Sequence, residues 1–312
     1  MPRWPEPRLT PEQKKERKRE YDQRRNAARR SEVRREQLVE NSTKFDPLQQ
    51  PATESDIEVP THGLRIAYLP DCQVRQGVPV DHLAAYGNYI AAHQPDVILC
   101  IGDFGDFPSL STYMKPGSLE SWGQCYDTDV KATVAAMEVF MNPIARVVSA
   151  AWQPRLIFLK GNHEDRVDRA INENPRFLYN RINAEQDMQL AEFGWEVHPF
   201  LQPLVVGGVA FSHYFPSGVM GRPITTAAAL LRKMHMSCIA GHLQGKDIAY
   251  AKRGDGSSLT GIISGSFYMH DESYLSPFTN KHWRGALYLH EVQDGHFDEM
   301  WLSIGYLLRR WG

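Results

Sequence analysis

Cysteine is scarce: the 312 residues hold four, Cys72, Cys100, Cys125 and Cys238, scattered and with no C-x-x-C pair among them. That spacing excludes a zinc ribbon and a paired redox couple, and leaves reduced thiols acting mostly as small buried hydrophobes. Also missing is any uncharged apolar run approaching a membrane span, and the start, Met1-Pro2-Arg3-Trp4-Pro5, does not lead into the apolar segment of a secretory signal. The expectation is a cytoplasmic chain with no membrane partner. Strong overall charge is absent too, with 35 Lys and Arg against 37 Asp and Glu. A composition that is 42% hydrophobic and 23% charged excludes wholly disordered, collagenous and membrane-embedded classes. No internal repeat is visible.

The near balance of charge hides an asymmetry. Residues 1–40 carry 13 Lys and Arg against 8 Asp and Glu, so the arm is +5 and the remainder is -7. Thr10-Pro11-Glu12-Gln13 reads as a cap, a first-turn proline and a capping-box partner that open a helix to about Asn41. With Tyr21, Val33, Leu38 and Val39 as its sizeable apolar residues, that helix has no continuous face to bury. It reads as a solvated helix or as an arm that meets nucleic acid. Residues 42–60, with Pro47, Pro51 and Pro60 among polar neighbours, read as a linker, so the division is a basic helical arm and linker over 1–60 and a folded domain over 61–312.

From there on, short apolar runs stop abruptly at polar residues: Leu64 to Leu69, Val97 to Ile101 and Leu156 to Leu159. Length and branched content mark them as strands. Helical spacing fills Val80 to His93 and Asp129 to Ala151, and further helices fit Pro175 to Phe193 and Thr225 to Met236. Strand and helix thus alternate, which implies an α/β core. Two hairpins follow, Ile248 to Lys252 with Leu259 to Ile263, and Ala286 to Val292 with Phe297 to Ile304 across Asp294-Gly295. They predict a largely antiparallel layer after the alternating part.

Polar residues gather where the strand-like runs end, the place where open α/β sheets hold ligands. Leu69-Pro70 leads to Asp71-Cys72-Gln73, Ile101 to Gly102-Asp103-Phe104-Gly105-Asp106, and Leu159-Lys160 to Gly161-Asn162-His163-Glu164-Asp165. Phe211-Ser212 leads to His213, and Ile239-Ala240 to Gly241-His242-Leu243-Gln244. Carboxylates, an amide and imidazoles at successive strand ends suit divalent metal ions, with glycines allowing tight turns beside them.

In this order the motifs resemble those of the calcineurin-like metallophosphoesterases, whose pattern is D-x-H, GDxxD, GNH(D/E), a lone histidine and GHxH. The likeness spans residues 66–244, and the tail to about residue 305 suits that family's second sheet. It implies a two-sheet β-sandwich flanked by helices, a four-layer α/β fold, with a two-metal site at one edge. It also implies that Asp103 bridges two divalent ions, that Asp71, Gln73 and Gln244 stand at the first, and that Asn162, His213 and His242 hold the second. A hydroxide bridging the ions would attack phosphorus, His163 would serve the leaving oxygen, Asp106 would orient His163, and Arg166 and Arg169 would clamp phosphate.

Gln73 and Gln244 replace two histidines of the family pattern, both at the same metal, while the other motif positions are intact. That concentration argues for an altered site rather than an abandoned one. A first position made wholly of oxygen donors suits Mn²⁺ best, with Mg²⁺, Fe or Zn²⁺ as alternatives. The function expected is hydrolysis of phosphodiesters, with DNA or RNA as substrate through the basic arm and an aromatic and cationic cluster of Phe267, Tyr268, His270, Tyr274, Trp283 and Arg284. A packing role for those aromatics stands beside that expectation. A phosphomonoesterase acting on phosphoprotein or small esters, and a non-catalytic adaptor that binds nucleic acid, are the alternatives.

Overall fold

A computed structural model describes residues 52–112, 123–272 and 275–312. The helix expected over the arm, residues 42–51 of the linker stretch and Tyr274 lie outside the described residues. In chain order the elements begin with β1 (Thr53–Glu54), β2 (Leu64–Leu69), α1 (Asp81–His93), β3 (Val97–Cys100), α2 (Tyr126–Ala145) and β4 (Arg155–Leu159). There follow α3 (Asp165–Glu173), α4 (Pro175–Leu178), α5 (Ala184–Asp187), β5 (Glu196–His198), β6 (Leu204–Val206), β7 (Val209–Ser212) and α6 (Ala227–Met234). The last are β8 (Cys238–Ala240), β9 (Lys246–Lys252), β10 (Ser258–Ser264), β11 (Gly285–Gln293), β12 (His296–Ser303) and α7 (Ile304–Trp311).

The strands form two mixed sheets of six, and the expected α/β class holds. The first sheet runs β12-β11-β2-β3-β4-β5 and the second runs β1-β6-β7-β8-β10-β9. Strands β2, β3, β4 and β5 are parallel neighbours, as are β7, β8 and β10, so the loops after them leave each sheet at one edge.

Alternation along the strands decides what packs where. Ile66 and Tyr68 of β2 share an apolar layer with Phe211, Ile239 and Ile262 of the second sheet, whereas Ala67 and Leu69 face the helices through Leu83, Tyr86 and Phe140. On the far side, Ala210 and Ala240 meet Leu230 and Leu231 of α6. The order is therefore helix, sheet, sheet, helix, which is compatible with a sandwich. Each large side chain in these layers contributes on the order of 1.5–3 kcal/mol through burial. Cys72, Cys100 and Cys238 are buried among them as expected, and Cys125 is exposed.

Several local expectations need correction. The antiparallel hairpins do not form one later layer: β10 joins the second sheet beside β8, while β11 lies antiparallel to β2 in the first. Apolar alternation shows that a strand has a buried face but not which sheet adopts it. The helix expected from Pro175 to Phe193 is two single turns, because Asn180 and Gln189 take left-handed backbone at φ 57° and 56°. Helix α2 ends at Ala145 rather than Ala151, and the chain then turns back through paired Ser149 and Trp152. Inside the stretch read as linker, Thr53–Glu54 pairs in parallel with Leu204 and Val205. The Asp294-Gly295 turn is as expected, with φ positive at both residues (51° and 79°) as a type I′ hairpin requires. Among the described residues no helix is long and apolar enough to cross a membrane.

Candidate metal centre

Asp71 follows β2, Asp103 follows β3 and Asn162 follows β4, all from the first sheet; His213 and His242 follow β7 and β8 of the second. The two edges meet through direct contacts. His213 Nδ1 lies 3.0 Å from the Ile101 carbonyl oxygen, and the His242 backbone N–H donates to Asp71 Oδ1 at 3.2 Å. Glycine is needed at this seam: a Cβ on Gly241 would stand 2.5 Å from Asp71 Oδ1, and one on Gly161 would stand 2.2 Å from Asp103 Oδ1.

Asp103, Gln73 and His242 all adopt left-handed backbone, with φ of 49°, 45° and 66°. Non-glycine residues hold that conformation only where their surroundings compel it. For Asp103 the compelling group is the buried carboxylate of Glu164. Its Oε2 accepts from the N–H groups of Asp103 and Gly161, both at 2.8 Å, while Oε1 accepts from those of Phe104 at 3.0 Å and Gly105 at 3.3 Å. Sequence reasoning gave Glu164 no role, although its place as the fourth residue of the Gly161 motif was the available signal. Four charge-assisted bonds make it the staple between the loops after β3 and β4.

Around Asn162 the donors converge. Its Oδ1 lies 2.9 Å from His213 Nε2 and 2.6 Å from His242 Nδ1, and Asp103 Oδ2 lies 3.2 Å from His213 Nε2. One atom each from Asp103, His213 and His242 falls within 4.8 Å of the others, a group that could hold a metal ion. The protonation pattern fits such an ion. The Ile101 carbonyl takes the Nδ1 proton of His213, so the neutral ring turns a lone pair at Nε2 toward two oxygens. A proton or a cation must lie there. Burial opposes charge on His213, yet Asp103 pushes its pKa up to about 9, whereas burial and then His213 depress His242 to about 4. Asp71 repeats the theme: Oδ2 is buried without a hydrogen-bond partner, and burial pushes its pKa up to about 7 despite His213. An orphaned carboxylate oxygen and an imidazole lone pair facing two oxygens are groups that a cation would satisfy.

His163 stands beside this group. Nδ1 is 2.9 Å from Asp106 Oδ1, an ion-pair contact rather than an aligned hydrogen bond, and Nε2 is 3.5 Å from Asp103 Oδ2. Arg166 is not a free clamp. It donates from Nη1 to the Asp106 carbonyl at 2.6 Å and from Nη2 to His163 Nε2 at 2.9 Å, so it tethers the two residues. Arg169 is half exposed, pairing with Asp165 at 3.0 Å and donating to the Asn162 carbonyl at 3.0 Å. Gln73 is buried, and its backbone N–H donates to the Asp103 carbonyl at 2.9 Å. The Gln244 amide oxygen is taken by the Tyr268 hydroxyl at 2.8 Å.

The described members of the aromatic cluster pack against neighbouring side chains. Phe267 and Tyr268 are buried, Phe267 meeting His82 edge-on at 4.7 Å, and Trp283 packs on Trp301 with Lys246 over both rings. Arg284 lies over the Tyr268 ring at 4.6 Å. No protein-family model matches the chain, and no curated protein matches it either.

Proposed function

We propose that the chain is a metal-dependent phosphoesterase of the calcineurin-like kind, hydrolysing phosphodiesters, with nucleic acid as the substrate. The observation that carries this reading is the convergence of Asp71, Asp103, Asn162, His213 and His242 on one edge with the His163–Asp106 pair beside them. The helix, sheet, sheet, helix order supports the same reading. Asp71, Gln73 and Asp103 are the residues for a first divalent ion, with Gln244 joining them only if its amide oxygen leaves the Tyr268 hydroxyl, and Asp103, Asn162, His213 and His242 for a second, with Mn²⁺ suited to the oxygen-rich first position. Bound there, such ions would supply Lewis acidity toward a phosphoryl oxygen.

The chain's own residues do the rest. Asp106 holds the Nδ1 side of His163, and Nε2, which accepts from Arg166 Nη2, would turn to the leaving oxygen once Arg166 engages phosphate. Arg166 has five N–H donors, enough to keep Nη1 on the Asp106 carbonyl while Nη2 moves from His163 to a phosphoryl oxygen. Support for nucleic acid comes from the +5 arm of residues 1–40, whose cations would draw a polyanion toward a remainder that is itself -7.

A panel tests the reading: p-nitrophenyl phosphate, its bis ester, single-stranded and duplex DNA, RNA and phosphopeptide, each with Mn²⁺, Mg²⁺ and Zn²⁺. The expected result is cleavage of the bis ester and a nucleic acid, lost in Asp103→Ala. Cleavage of monoesters alone makes the chain a phosphatase, and no cleavage with retained nucleic-acid binding makes it an adaptor.

A further inference from the structure

We propose that Arg75 and Glu272 are positioning residues for the His163–Asp106 pair, which makes the segment after β10 a working part of the site; this rests on the phosphoesterase reading. The two oxygens of Asp106 are divided between partners. Oδ1 faces His163 Nδ1 at 2.9 Å and Arg166 Nη1 at 3.4 Å, and Oδ2 accepts from Arg75 Nη1 at 2.9 Å. With both oxygens engaged, the carboxylate cannot rotate away from the imidazole without breaking an ion pair.

Arg75 is itself held in place at both ends. Its backbone neighbours are zipped to the loop after β3, Val74 N–H donating to the Phe104 carbonyl and Asp106 N–H to the Val74 carbonyl, both at 2.8 Å. Its Nη1 also donates to Glu272, at 2.9 Å to Oε1 and 3.1 Å to Oε2. Glu272 is buried, and His270 Nε2 grips its Oε1 from the other side at 2.7 Å. The Glu272 backbone is clamped by Asn280, which accepts from its N–H at 2.9 Å and donates to its carbonyl at 3.0 Å. Arg284 donates to the His270 carbonyl at 2.8 Å. A continuous chain of contacts therefore runs from the reacting imidazole through Asp106, Arg75 and Glu272 to His270.

One guanidinium nitrogen separates two largely buried carboxylates. Without it, Asp106 Oδ2 faces the like charge of Glu272 with no cation between them, and only the longer Arg166 contact to Oδ1 at 3.4 Å opposes a turn of the carboxylate away from Nδ1. The imidazole then loses its partner at Nδ1, and its tautomer is held from one side only, by the Arg166 bond to Nε2. Arg75 and Glu272 are 197 residues apart in the chain, which is why no motif shows the pairing.

The test compares wild type, Arg75→Gln, Glu272→Gln, the double variant and Arg75→Lys, the last keeping the charge should the glutamine variant fold poorly. Four quantities are measured: kcat and KM on bis-p-nitrophenyl phosphate with Mn²⁺, bound Mn²⁺, melting temperature, and the ¹⁵N tautomer signature of His163. Arg75→Gln should lower kcat roughly 10–100-fold, with KM and bound Mn²⁺ within about twofold, and should mix the tautomers. The double variant should recover part of kcat, because the opposing carboxylate is gone, and Arg75→Lys should fall between. Unchanged kcat and tautomer in an active enzyme overturn the proposal, as does a loss of kcat that follows bound metal or melting temperature. If wild type cleaves nothing, the tautomer alone decides: a shift in Arg75→Gln sustains the positioning role while the phosphoesterase reading falls, and no shift ends both.

Discussion

The two sheets contribute differently to the centre. From the first come carboxylates and an amide on loops pinned by many backbone bonds, with Glu164 alone accepting four. From the second come two imidazoles on short turns, and each reaches across, His213 to the Ile101 carbonyl and His242 to Asn162, while the His242 backbone N–H donates to Asp71. The first side is rigid by its own wiring, whereas the second is aimed by the first. A metal held between them would therefore join the sheets, and stability should depend on the metal far more for substitutions at the seam than for those inside either loop set.

That difference can be broken most severely at Asp103, which belongs to both arrangements. Asp103→Ala removes the oxygen facing His213 and the acceptor of the His163 N–H. It should abolish hydrolysis in the substrate panel and erase the rise in melting temperature expected for the wild type with Mn²⁺. Next comes the wiring alone. Glu164→Ala leaves buried N–H groups of the loops after β3 and β4 without their acceptor, at a cost of about 3 kcal/mol or more in thermal melts without metal. A melt unchanged from wild type would show that water replaces the carboxylate.

A comparable effect lies away from the centre and depends on pH. His82 is buried with Nε2 2.9 Å from the Phe267 carbonyl, and burial depresses its pKa from 6.5 to about 4. The folded protein then binds this proton less readily than the unfolded chain does. Its contribution is neutral well above pH 6.5 and becomes a penalty as pH falls from 6.5 toward 4, reaching about 3 kcal/mol. Chemical denaturation of wild type and His82→Gln at pH 7.5 and 4.5 should show a smaller acid loss in the variant; parallel losses would place the acid sensitivity elsewhere. The smallest change is expected at Arg169, whose exposed pair with Asp165 is solvent-screened. Arg169→Ala should alter stability by no more than about 0.5 kcal/mol and leave kcat on the bis ester nearly unchanged, and a large kcat loss would return the phosphate-clamp role to Arg169.

Legibility in the sequence followed the same division. Strands β2, β3 and β4 and the polar residues after them were readable because fully buried parallel strands are continuous apolar runs with sharp ends. Asp103, Asn162, His213 and His242 come together as their places after strands suggested. What could not be read was pairing over long range. The bonds of Arg75 to Glu272 and of Tyr268 to Gln244 join loops with no shared motif, and the assignment of β11 to the first sheet depends on packing that local alternation does not encode. Stacking and packing roles for Tyr268 and Phe267 are not separable in the sequence, because aromatic content alone does not distinguish a buried ring from an exposed one; both rings are buried.

The most direct measurement is calorimetric titration of Mn²⁺ into metal-stripped wild type, Asp103→Ala and His242→Ala. The account predicts saturable binding to the wild type that is lost when either sheet's ligand is removed. Unaltered binding in His242→Ala, or none to the wild type, would contradict a centre built jointly by both sheets.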